Sequence, residues 1–210
     1  MLRLDAYLLD PCGTSSIPFW KTKTMAIPAG LQILHSQEPE PICAEGFRDE
    51  VYFRLRHDLM HTAAPSLPHC SLRTICQQEL ELICAIINCA YTELQITLPQ
   101  LQGYTRTPVY APDLWVLAQD ETRNEAVGCA LADFDPETGE MSLEWIQVLP
   151  QYRHRGFGRA MVMELLHRKP SGARFATVSG RVSTRWPEAL YRSCGFTGQD
   201  YWHILSPEVT

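Results

Sequence analysis

Hydrophobic and polar positions change their period several times along this chain, and each change marks an element. Val51, Phe53 and Leu55 alternate with Tyr52, Arg54 and Arg56, the period of a strand with one buried face. A polar loop marked by proline runs on to about His69. Leu80, Ile83, Cys84, Ile87, Tyr91 and Leu94 then recur at helical spacing, behind Thr74 and Gln77, which read as a capping box. Thr97 and Pro99 open a second, shorter helix that ends near Gly103. Three strand-like runs follow at 114–118, 126–134 and 141–149, separated by turns at 121–125 and 135–139, and they read as an antiparallel meander. After Gly156 the period is helical again: Phe157, Ala160, Met161 and Leu165 form one stripe with Val162 and Leu166 beside it, until Lys169 and Pro170 stop it. A strand at 173–179, a short helix at 187–193 capped by Gly195, and a last strand at 199–205 complete the pattern. Interleaved strands and helices of this kind predict an α/β (α+β) fold with a mixed sheet.

Residues 1–46 lack these periods. Proline and small polar residues dominate, with one short alternating stretch around Leu31 and Ile33, so the segment is expected to hold little regular structure. It is too short for a core of its own, yet Ile17, Phe19 and Trp20 need a surface to pack on. The division expected is an extension over 1–46 packed on a domain over 47–210, with Trp20 and Lys21 as candidates to shape a substrate pocket.

Composition narrows the class. The 210 residues suit one domain with an extension, and 45% hydrophobic with 20% charged residues is ordinary for a globular protein. No apolar run reaches a membrane span, and the opening MLRLDAYLLD is broken by Asp5 and Asp10, unlike a cleaved secretory signal, so neither membrane nor export is expected and the cytoplasm is. Eight cysteines without Cys-x-x-Cys spacing suit reduced thiols, and a net charge of -6 argues against a nucleic-acid partner.

The stretch EWIQVLPQYRHRGFGRAM carries the chemistry. A strand, a proline, a basic Gly-x-Gly turn and a helix follow one another. Gly156 and Gly158 let the backbone come close to a ligand, the helix start offers unpaired N–H groups, and Arg153, Arg155 and Arg159 add positive charge, so the arrangement points to a phosphate site. Written as Val148-x-Pro150-x-x-Arg153-x-x-Gly156-x-Gly158, the segment resembles the acetyl-coenzyme A motif of the GNAT superfamily of N-acetyltransferases. A second family feature, a short helix ending in Leu-Tyr before Gly-Phe, matches ALYRSCGF from Ala189 to Phe196. The resemblance covers about residues 51–205. It departs at Thr184, where the family often has Asn, and at Pro187, where it often has Ala.

The resemblance implies a mostly antiparallel twisted sheet flanked by helices, with a splay between central strands that takes the pantetheine arm. It implies acetyl-coenzyme A as co-substrate, held by Arg153, His154, Arg155, Gly156, Phe157, Gly158 and Arg159 and by the backbone of Ile146 and Val148. Its acceptor is an amine on a small molecule or a peptide, and it leaves room for a homodimer. An amine of pKa near 10.4 costs roughly 4 to 5 kcal/mol to deprotonate at pH 7, so a base is expected. Two-residue alternation puts Glu144 on the face of Ile146 and Val148, where it resembles the carboxylate several family members use. Asp133 and Asp135 compete for that role. Tyr191, at the family's tyrosine position, is the expected proton donor to the departing thiolate.

Two rivals come from other classes. His57-Asp58-Leu59-Met60-His61 has the histidine spacing of a helical zinc motif, but it falls on a strand end and loop, so no metal is expected. A non-catalytic acyl-coenzyme A sensor would keep the phosphate turn without the chemistry, and the presence of both Tyr191 and Glu144 weighs against it.

Overall fold

A computed structural model describes residues 2–42, 45–90, 95–182 and 185–208. The chain forms two compact units, one of residues 1–58 with 175–210 and the other of residues 59–174. Both are built of mostly antiparallel strands flanked by helices.

In the first unit the strands are β1 (Gln32–Ser36), β2 (Phe47–His57), β7 (Phe175–Arg181) and β8 (Thr197–Pro207), in the order β1, β8, β2, β7. Each neighbouring pair is antiparallel, with Val51 opposite His203 and Leu55 opposite Val178. Helix α7 (Arg185–Ser193) ends at Gly195, whose φ of +95° suits the left-handed turn expected after it. Thr184 and the helical positions Tyr91 and Leu94 lie outside the described residues.

Residues 2–42 hold more regular structure than expected: α1 (Leu4–Leu9), α2 (Pro11–Thr14), α3 (Phe19–Thr24) and strand β1. These helices make fewer than two turns each, too few for a period to show in the sequence. Tyr7, Phe19 and Phe175 form a buried cluster here. Strand β2 corrects a second expectation, because Arg54, placed by alternation among the polar positions, is 1% exposed. Its guanidinium donates to the Tyr7 hydroxyl at 2.9 Å and the Ser179 hydroxyl at 3.1 Å, and Trp202 Nε1 donates to the Cys12 carbonyl at 2.8 Å. Alternation separates the two faces of a strand without saying which one will be covered, and short helices cover this one.

In the second unit β6 (Glu140–Val148), β5 (Glu125–Asp135), β4 (Tyr110–Asp120) and β3 (Cys70–Thr74) lie in that order, all antiparallel. The meander is as expected, but β3 is an additional edge strand where a loop and a helix cap were expected. The capping box sits two residues later, at Cys76 and Glu79, in a 3-10 turn that leads into α4 (Leu80–Ala90). Helix α5 (Leu98–Tyr104) opens with the second box, Thr97 and Gln100. One side of this sheet carries Trp115, Leu117, Cys129 and Leu131 against Ile83, Cys84 and Ile87 of α4. Helix α6 (Phe157–His167) buries Phe157, Ala160, Met161, Val162, Leu165 and Leu166. At about 1.5 to 3 kcal/mol for each large apolar side chain buried, this stripe holds the helix far more firmly than its intrinsic propensity does. Gly128 of β5 leaves room for this helix, since an added Cβ would stand 3.0 Å from Met161 Cε and 2.4 Å from the Gln147 carbonyl oxygen.

Candidate active site

The expected phosphate segment folds as one structure. Pro150–Tyr152 make a single 3-10 turn after β6, and Arg153 turns back so that its Nε donates to the Val148 carbonyl at 3.2 Å. His154 has a φ of +61° and Gly156 one of +91°. The second value suits glycine, while the first lies in a region sparsely used by other residues, with histidine among the more tolerant. Gly156 is the N-cap of α6, and no side chain caps the helix there. The first intrahelical donor is Ala160, whose N–H reaches the Gly156 carbonyl at 3.0 Å. The N–H groups of Phe157, Gly158 and Arg159 therefore have no acceptor within the helix, and the dipole adds partial positive charge where they point.

Arg153, His154, Arg155, Gly156 and Arg159 are exposed while Phe157 is buried, so cations and open N–H groups face solvent above an apolar anchor. The residues of this turn fit a diphosphate: bare backbone donors, no capping side chain in competition, and three guanidinium groups. Leu67, from the loop before β3, lies 3.2 Å from where a Cβ on Gly156 would stand. Beside the helix opening is a cavity of about 220 Å³ lined by Pro65, Leu67, Cys70, Leu72, Ala160 and Glu164. Burial pushes the Cys70 thiol up to about 11, with the charges of Glu121, Asp120 and Glu164 adding to the effect, so it stays protonated at neutral pH.

A residue missed in the sequence anchors the turn. Tyr152 is 2% exposed, its hydroxyl donates to the Glu125 carboxylate, and its ring stands edge-on to Phe157 at 6.1 Å. The bond to Glu125 raises the Tyr152 hydroxyl above its ordinary value. Arg155 lies 5.3 Å and Arg123 5.9 Å from the centre of the same ring. An aromatic residue immediately before a basic run was the one signal present. Nothing in the sequence brings the 121–125 turn to it.

Glu144 sits at an irregularity of β6. Leu143 pairs with Ala132 but Trp145 with Leu131, which leaves Glu144 as the extra residue of a β-bulge. Ile146 and Val148, opposite Ala130 and Gly128, therefore share a face with Met141 and Leu143, while Trp145 and Gln147 share the other with Ser142. Ile146 and Val148 do lie together; Glu144 stands outside the register with β5, which therefore does not fix its face. Asp135 is spent on its own turn, accepting from the Glu137 N–H at 2.9 Å and the Thr138 hydroxyl at 3.0 Å. Asp133 is half-buried in register with Tyr110 and Ser142. Tyr191, in the first unit, is buried, with its ring 6.1 Å from Phe53 and 5.8 Å from Phe196. His57 ends β2 against Phe196, and Leu59 has a φ of +61°, so no helix joins the two histidines. Among the described residues, no group of His, Cys, Asp or Glu could hold a metal ion.

Residues 111–198 match the family model described as the acetyltransferase (GNAT) domain, a stretch that contains β6, the phosphate turn, α6 and Tyr191. Over that stretch the chain is similar to a GNAT acetyltransferase domain. Solved structures share the fold. A GCN5-related N-acetyltransferase from Sphaerobacter thermophilus is 20% identical with a TM-score of 0.66, over 78% of this chain and 55% of that one. Ard1 from Thermoplasma volcanium is 14% identical with a TM-score of 0.54, over 68% and 99%. The ribosomal-protein-S18-alanine N-acetyltransferase of Escherichia coli is 18% identical with a TM-score of 0.51, over 67% and 95%. At such identities the likeness speaks for the fold, and this chain spans little more than half of the Sphaerobacter protein. Among curated proteins none matches this sequence. No described helix is long and apolar enough to cross a membrane.

Proposed function

We propose that this protein transfers the acetyl group of acetyl-coenzyme A to a primary amine by direct attack within a ternary complex. The observation that carries the reading is the uncapped opening of α6 at Gly156, with Arg153, Arg155 and Arg159 exposed around it. Acetyl-coenzyme A supplies the activated acyl group. Held at its diphosphate by this turn, it also has the backbone of Ile146 and Val148 available to its amide-bearing arm; the Val148 carbonyl, already taken once by Arg153, keeps a second lone pair. Glu144, set apart by its bulge, accepts the proton of the amine, and the Tyr191 hydroxyl returns one to the leaving thiolate. Direct attack suits the thiol nearest the helix opening, since Cys70 lines the cavity there and burial raises its pKa, which makes it a poor nucleophile for an acetyl-enzyme step. The same reading takes 47–210 as the catalytic domain, 1–46 as an extension packed on it, and the cytoplasm as the site of action.

The test is a thiol-release assay with acetyl-coenzyme A against a panel of lysine peptides, peptide N-termini, polyamines and small aromatic amines, with product masses recorded. At least one amine should gain an acetyl group, and Glu144→Gln should slow that transfer by at least about tenfold. Binding of acetyl-coenzyme A with no turnover on any amine would leave the sensor reading in its place.

A further inference from the structure

The phosphate turn is not the whole of the positive surface around Tyr152. Arg123 comes from the turn between β4 and β5, outside the motif, and its guanidinium lies 5.9 Å from the ring centre, as Arg155 does at 5.3 Å. Both arginines are exposed and the ring is buried, so a single fixed ring neighbours one guanidinium of the phosphate turn and one from outside it. The ring is held in place, since its hydroxyl is bound to Glu125, which stands at the start of β5 just after the turn bearing Arg123. The Asp120 carboxylate is near enough to Arg123 for the two charges to interact, and Glu125 shares the ring, so the guanidinium charges are partly balanced from within the protein. Both arginines remain exposed to an anion arriving from solvent, and Arg123 meets it from outside the motif.

We infer that Arg123, steadied on the Tyr152 ring, is a second-anion reader: it recognises the ribose 3′-phosphate of coenzyme A while the turn at Gly156 takes the diphosphate. This rests on the cofactor reading above and extends it from the motif to a residue 30 positions earlier in the chain. The chemistry is consistent, because coenzyme A carries two separate anionic groups at its nucleotide end and a planar guanidinium binds a phosphate with two parallel donors. Arg123 on this account touches the cofactor and takes no part in transfer. Tyr152 is a positioning residue.

Calorimetric titration of the full chain with coenzyme A and with 3′-dephospho-coenzyme A tests it. The wild type should prefer coenzyme A by about three- to tenfold, the range for one charge-assisted contact open to water. Arg123→Gln should lose that preference by weakening coenzyme A alone, with dephospho-coenzyme A bound as before. Arg123→Lys, which keeps the charge and loses the fork, should keep part of it. Equal weakening of both nucleotides in Arg123→Gln, or an undiminished preference, would overturn the assignment. A wild type that binds neither nucleotide would sink the cofactor reading itself, and this inference with it, whereas tight binding of both without preference would sink only the inference.

Discussion

Helix α4 is introduced by a turn whose donors are taken by side chains: Glu79 accepts from the Cys76 N–H at 2.9 Å and is held in turn by Arg73 at 2.8 Å. Helix α5 repeats the device with Thr97 and Gln100. Helix α6, in the same unit, has no such side chain, and a glycine in the left-handed region stands where the capping residue would be. The three helices face the same physical problem of N–H groups without acceptors, and two of them solve it internally. What separates α6 is that its donors stay open, surrounded by arginine. Within this unit, that contrast is what the proposed diphosphate site rests on.

Closing the open end should have the largest effect. Gly156→Val forces a β-branched residue into a left-handed conformation and pushes a side chain toward Leu67, so acetyl-coenzyme A affinity should fall by more than about a hundredfold in calorimetry, with circular dichroism still showing a folded protein. Normal affinity in that variant would erase the distinction between the helices.

Next in size, Tyr191→Phe touches neither kind of helix opening, and it should lower turnover by about a hundredfold while binding stays as in the wild type. Loss of binding there would mean that the site extends well beyond the turn. Thr97→Ala, at a closed opening, should cost about 1 kcal/mol of stability in denaturant unfolding and leave affinity alone.

Smallest is the effect of Glu79→Gln. Arg73 beside it lowers the Glu79 carboxyl to about 2, so this pair stabilises the fold above the ordinary carboxylate range and loses its contribution as pH falls toward that value. Because Arg73 is exposed, no more than about 1 kcal/mol is at stake, and the wild type and the variant should converge in stability as the pH approaches 2. A gap that persists in acid would assign the pair's contribution to packing.

How much of this was legible in the sequence depends on the length over which a pattern repeats. The meander, α4 and α6 each carry enough residues for a period to emerge, and the turn is a local motif, so both appeared where expected. Strand β3 was not seen: Cys70–Thr74 is five mostly half-buried residues at an edge, and the alternation of Cys70 and Leu72 with Ser71 and Arg73 is too short to stand out. The N-terminal helices were missed for the same shortness. Burial of Arg54 and the grouping of Arg123 with Tyr152 depend on parts of the chain far apart in sequence, which no local period encodes. The bulge at Glu144 was not legible either, because an extra residue in a strand leaves no mark in the local pattern of apolar and polar residues.

That bulge also decides how the site can vary by insertion or deletion. Were Glu144 lost, Leu143, Trp145 and Ile146 would become consecutive, and the pairs Leu143 with Ala132, Trp145 with Leu131 and Ile146 with Ala130 would persist as a regular ladder. Ile146 and Val148 would stay in the layer they share with Leu143, and Trp145 in the layer packed by α4. What the deletion would take away is the proposed base alone. The strand can therefore give up a residue at this point without turning its later side chains over, whereas a residue lost anywhere beyond Trp145 would exchange the two layers.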